Sequence, residues 1–177
     1  MCSIAGTFIA AGKIADLSSP GESLGASTTD SVSNYLEQAN EKLWVNHVEV
    51  QRRSVLAWVA FAEGQKEEAL RLMRSAAELE ESTDKPPVTP GSIVPARELF
   101  AEMLLAVNRS DDALIAFEAT LHDIPNRFQS LYGAALAAER AGKTTKARHY
   151  YTKVLEVSEA AKTERPELRL ARNFLKS

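Results

Sequence analysis

The chain has 177 residues, 45% of them apolar and 25% charged, with a formal net charge of −3. That ordinary globular balance, at a length suited to one domain or a short repeat array, excludes a wholly disordered chain and a nucleic-acid-binding polycation. The single cysteine, Cys2, excludes an internal disulfide, and no run reaches the roughly 18 apolar residues of a membrane-spanning helix.

Residues 1–11, MCSIAGTFIAA, hold an apolar run with no Lys or Arg ahead of it, whereas a secretory signal needs a positive start. Residues 18–33 are rich in Ser, Thr and Gly, a composition that buries little, so 1–29 is expected to be a flexible tail. From residue 30 apolar residues recur at helical spacing. Asp30 is placed to cap a helix over 31–43. A second helix is predicted over 46–63, stopped by Gly64. A third covers 66–82, with Glu67 and Glu68 suited to its N-terminus. The segment KPPVTPGSIVP, residues 85–95, carries Pro86, Pro87, Pro90, Pro95 and Gly91 and cannot be helical through its middle. Pro95 stands at an expected first helical position. Helices follow over 95–107, 110–123, 128–141, 144–161 and 166–175. Ser110 and Thr144 are candidate caps, and Pro166 opens the last helix.

Self-comparison organises these elements. VNRSDDALIAFEATL (107–121) aligns with AGKTTKARHYYTKVL (141–155) at an offset of 34 residues, and EGQKEEALRLMRSAA (63–77) joins them at an offset of 44. The extra ten residues are the proline-rich loop. In each copy a small residue (Ala69, Ala113, Ala147) lets the second helix approach the first. A large one four positions on (Met73, Phe117, Tyr151) fills the gap beside it. Ala57, Ala101 and Ala135 serve the same close contact from the first helix. Gly64, Asn108 and Gly142 take the turn, where a left-handed residue is wanted.

A 34-residue helix–turn–helix period over about 48–160 resembles the tetratricopeptide repeat (TPR) family. Pro125 stands where that family places its inter-repeat proline. The family tryptophan is missing from all three copies, replaced by Arg53, Arg97 and Leu131. The segments VEVQRRSVLAWVAFAEGQKEEALRLM (48–73), VPARELFAEMLL (94–105), PNRFQSLYGAALAAERAGKTTKARHYY (125–151) and ERPELRLARNFL (164–175) also resemble the C-terminal part of long bacterial TPR proteins of unassigned function. The resemblance implies an all-α right-handed solenoid over 30–177. Its repeats would cover about 48–82, 94–125 and 128–160, with a flanking N-terminal helix and a C-terminal capping helix at 166–175.

The resemblance also implies a concave groove lined by positions 2, 5, 9 and 12 of each first helix. Here these are Gln51, Ser54, Trp58 and Phe61; then Pro95, Glu98, Glu102 and Leu105; then Gln129, Tyr132, Leu136 and Glu139. Trp and Tyr are strong interface anchors, and equally they are core residues if a neighbouring helix covers them. The carboxylate clamp of co-chaperone members uses Lys and Asn in the first helix. Ser54, Trp58, Leu99, Gln129 and Gly133 occupy those places here, so that ligand is not expected.

No catalytic chemistry is visible. His47, His122 and His149 are far apart and without a cysteine nearby, so no metal is expected. No nucleophile motif or phosphate-binding glycine run occurs. The sequence implies a non-enzymatic binder of a protein or peptide, without cofactor, nucleic acid or membrane span, and with weak self-association as a side possibility. The competing reading is the closing segment of a larger solenoid whose activity lies upstream. The compartment stays open, with the cytoplasm favoured by the lack of a targeting signal. Charge is uneven: residues 140–177 carry +6 and the remainder −9. The loop at 85–95 departs from the bare repeat and is a second candidate for partner contact.

Overall fold

The computed structural model describes residues 42–83, 92–159 and 165–177. The expected tail at 1–29, most of the expected 31–43 helix and most of the 85–95 loop lie outside them. The described residues form seven helices and no strand: α1 Lys42–Ala62, α2 Lys66–Ser82, α3 Ala96–Ala106, α4 Ser110–Asp123, α5 Phe128–Arg140, α6 Thr144–Val157 and α7 Pro166–Lys176. Two compact units divide between Leu99 and Phe100.

Several helix ends differ from the sequence reading, most of them by one residue, and two expected caps are displaced. α1 runs on through Trp44 and Val45, where the sequence reading left a gap between two helices, because neither residue breaks a helix. α3 begins at Ala96; Pro95 stands just outside it, and its carbonyl accepts the Glu98 and Leu99 amides at 3.0 and 3.2 Å. Ser110 and Thr144 are the first residues inside α4 and α6, not their caps, which are Arg109 and Lys143 and make no side-chain cap bond. α6 stops at Val157 rather than 161, where Ser158 folds its hydroxyl back to the Val154 carbonyl at 2.7 Å.

The cap correction has its cause in the turns. Gly64, Asn108 and Gly142 sit at φ 84°, 63° and 71°, the left-handed conformation predicted for them. The following amides of Gln65, Arg109 and Lys143 each bond the carbonyl five residues back, at 2.9, 2.9 and 2.8 Å. Those of Gly64, Asn108 and Gly142 bond three residues back, at 3.1, 3.1 and 3.0 Å. This is the Schellman closure. The next helix then starts at once, with the Ala69, Ala113 and Ala147 amides bonding the cap carbonyls. One backbone path therefore recurs three times, and it leaves no room for a side-chain cap. Asn126, at φ 63°, makes a left-handed turn before α5 that the sequence reading did not single out.

In the N-terminal unit α1 packs against α2. Val50, Ala57 and Ala60 face Leu70, Met73, Ala76 and Ala77. Ala57 and Ala69 are wholly buried, so the two backbones approach closely there. Arg53 reaches the Ser75 carbonyl at 3.2 Å and Asn46 the Thr83 hydroxyl at 3.1 Å, fixing both ends of the pair. Glu80, 5% exposed, accepts the Ala96 amide at 2.7 Å and the Ser92 hydroxyl. It thus caps α3 from the end of α2 and clasps the chain across residues 84–91. The Arg97–Glu81 ion pair braces the same crossing.

In the C-terminal unit α4 packs on α5, α5 on α6 and α6 on α7. α5 is the centre, with Ala134, Ala135, Ala137 and Ala138 wholly buried. Gly133 meets Phe117 of α4 so closely that an added Cβ would lie 2.3 Å from the ring. Tyr151 stacks tilted against Phe174 of α7 at 4.9 Å, and α7 buries Leu168 and Ala171, the covering role expected of a capping helix.

Candidate functional site

The groove candidates belong to the first helix of each pair, and each unit is taken by itself. In α1, Gln51 is exposed and Trp58 and Phe61 are half-buried, their rings edge-to-face at 5.7 Å. Ser54 is buried and bonds the Val50 carbonyl at 2.8 Å. Glu98 of α3 is 1% exposed. In the C-terminal unit Glu102 of α3 is half-buried and accepts a hydrogen bond from Gln129 of α5 at 3.1 Å. Leu105 is buried, and its carbonyl accepts Arg140 at 3.3 Å. Leu136 is half-buried and Glu139 exposed. Tyr132 is 7% exposed, edge-on to Tyr151 at 6.3 Å.

The expectation that Ser54, Glu98, Leu105 and Tyr132 line an open groove is therefore corrected: each is buried within the chain's own packing, at most 7% exposed. Ser54, Glu98 and Tyr132 are position 5 of their three helices, and all three are buried. Trp58, Glu102 and Leu136 are position 9, and all three are half-buried. Position 9 sits roughly 40° further round the helix from position 5. That rotation carries it from a buried to a half-buried side of the helix. Pro95, at position 2 of α3, is buried as well.

Electrostatics follow this placement. Burial, then the charges of Glu167 and Glu139, push the Tyr132 phenol up from its ordinary range. Burial and the hydrogen bond from its hydroxyl to Glu139, at 2.5 Å, push Tyr151 up further. On α6, burial and a 2.9 Å bond to Glu118 raise Tyr150 to about 12, and Lys146 joins the same carboxylate at 2.6 Å. The Tyr150 and Tyr151 phenols are held neutral as hydrogen-bond donors. The Arg52 hydrogen bond, with help from Arg53, holds the Glu49 carboxyl below its ordinary range on α1.

The histidines stay apart. His122 and His149 are exposed, whereas His47 is half-buried against Trp44 at 5.7 Å. Among the described residues no three His, Cys, Asp or Glu side chains gather as a metal-ligand set. No described helix is long and apolar enough to cross a membrane. Of the 85–95 loop, Ile93 is 90% exposed and Val94 41%.

Three exposed apolar side chains of α1 went unnoticed in the sequence. Trp44, Val55 and Leu56 of α1 are 48%, 52% and 40% exposed.

A crystal structure of a TPR-like protein from Chlorobium tepidum TLS matches with a TM-score of 0.54 and 22% identity, over 76% of this chain and 97% of that one. No family model and no curated protein matches the sequence. The likeness shows the fold: this chain is all-α and TPR-like, as its 34-residue period predicted.

Proposed function

We propose that this chain is a non-catalytic scaffold that binds a protein or peptide segment along the open faces of its first helices. The carrying observation is the Trp58–Phe61 pair, two half-buried rings in edge contact on one face of α1. Aromatic side chains that are partly exposed on a rigid helix supply interface area with little entropy loss. In the C-terminal unit Gln129, Glu102, Leu136 and Glu139 offer a mixed polar and apolar face of the kind a peptide backbone and its side chains can meet. The test compares proteins captured from the source cell's lysate by the wild type and by Trp58→Ala and Leu136→Ser variants, each shown folded by circular dichroism. A partner held by the wild type and lost, about tenfold or more, by a folded variant supports the reading. A partner held equally by all three ends it.

The exposed apolar side chains of α1 favour a second reading, that of a segment of a larger helical array. Trp44, Val55 and Leu56 would meet a preceding helix there. On this reading the chain self-associates at micromolar concentration, and Val55→Glu with Leu56→Glu makes it monomeric. A wild type that sediments as a monomer removes it.

A further inference from the structure

The outer side of α7 carries a row of cations. Arg169, Arg172 and Lys176 recur at spacings of three and four, within roughly 60° of one another around the helix. All three are exposed, while the opposite side of α7 buries Leu168 and Ala171 and sets Phe174 on Tyr151. Arg165, at the N-cap, extends the row: its guanidinium lies 4.4 Å over the Phe128 ring and its Nε 3.5 Å from Glu167.

This row differs from the rest of the molecule. Every other described arginine meets a carboxylate, a carbonyl or another group of the chain. Arg169 and Arg172, among the described residues, meet none. Lys143 and Lys146 on the neighbouring α6 are likewise spoken for, by Asp111 and Glu118. The local excess of charge is thus concentrated on one helix side rather than spread over the basic segment.

We propose that this row docks an acidic segment of a partner protein, whose carboxylates pair with the Arg169 and Arg172 forks. Two guanidinium groups one turn apart match carboxylates one helical turn, or two strand residues, apart. The chain as a whole carries −3, with a pI near 5.7, so its field repels a long phosphate backbone while leaving a short acidic segment free to approach the row. The surface is independent of the aromatic face proposed above. Its binding falls with salt, because exposed pairs are screened within about 10 Å at 0.1 M ionic strength.

The test uses a fluorescein-labelled oligoglutamate peptide and a single-stranded DNA oligonucleotide of equal charge, with fluorescence anisotropy read at low and high salt. Arg169→Glu with Arg172→Glu is compared with Lys143→Glu and Lys146→Glu, which changes net charge equally on α6. The wild type binds the peptide in a salt-sensitive manner, the α7 variant about tenfold or more weakly, and the α6 variant within about twofold of wild type. If reversing α7 unfolds the chain, Arg169→Gln with Arg172→Gln reads the same loss. Equal losses in the α6 and α7 variants, or no binding at low salt, overturn the proposal. So does tighter binding of the DNA, which would assign the row to a phosphate backbone. Salt-sensitive self-association abolished in the α7 variant also overturns it, giving the row to a second copy.

Discussion

Gly133 is the point at which α4 and α5 come closest, and its replacement by alanine isolates what that approach contributes. In the middle of a helix the exchange should help, since alanine is better than glycine there by about 1 kcal/mol. The structure predicts the opposite sign. The new Cβ would stand 2.3, 2.5 and 2.7 Å from three atoms of the Phe117 ring. Phe117 is 1% exposed and Gly133 lies among wholly buried alanines, so the ring has nowhere to swing. Forcing a methyl into a filled core costs about 1–3 kcal/mol, and a triple overlap belongs at the upper end. Net of the propensity gain, Gly133→Ala destabilises by about 2 kcal/mol, or about 4–8 °C in melting temperature for a chain of this size. Urea and thermal unfolding followed by circular dichroism measure it. The cause is checked with Phe117→Leu, which removes the ring edge. Alone it costs about 1–2 kcal/mol as a cavity, and in the Gly133→Ala background distinctly less, a coupling of about 1 kcal/mol. A neutral or stabilised Gly133→Ala, or strictly additive variants, would show that α4 yields easily and that close approach does not explain the glycine.

Removing the Glu80 carboxyl leaves the buried Ala96 amide without its 2.7 Å acceptor, so Glu80→Ala costs about 1–3 kcal/mol by urea unfolding. Glu80→Gln, which keeps an acceptor oxygen, costs less, and equal losses would show that the clasp is not the cause. The Tyr150 phenol is raised by burial and by Glu118 from an ordinary 10.0 to about 12. A raised folded pKa contributes stability that is full below pH 10 and is lost as pH rises through about 12. The urea midpoint therefore falls across that window, more shallowly in Tyr150→Phe. A slope identical in the two proteins would refute the assignment.

The fold was legible because the signals that fix it are local and recur. Ala57, Ala69, Ala101, Ala113, Ala135 and Ala147 were each assigned to close contact from the period alone, and each is wholly buried. Met73, Phe117 and Tyr151, four positions on, are buried at 0–2% exposure. Gly64, Asn108 and Gly142 were assigned a left-handed turn, and each has it. A capping side chain is equally local, yet Ser110 and Thr144 misled, because the Schellman closure starts the next helix from a backbone carbonyl one residue earlier. Accessibility is less local. Ser54, Glu98 and Tyr132 read as groove contacts by family position. Yet position 5 is buried in all three first helices. A residue's side of the helix follows from 3.6-residue periodicity, whereas the width of that side left open is set by how closely the alanines let the next helix approach. In this chain position 5 is covered in all three copies and position 9 is left half-open. Taken unit by unit, the open strip of a first helix is therefore narrower than the family pattern implies: it holds Trp58 in the N-terminal unit, and Glu102 and Leu136 in the C-terminal one.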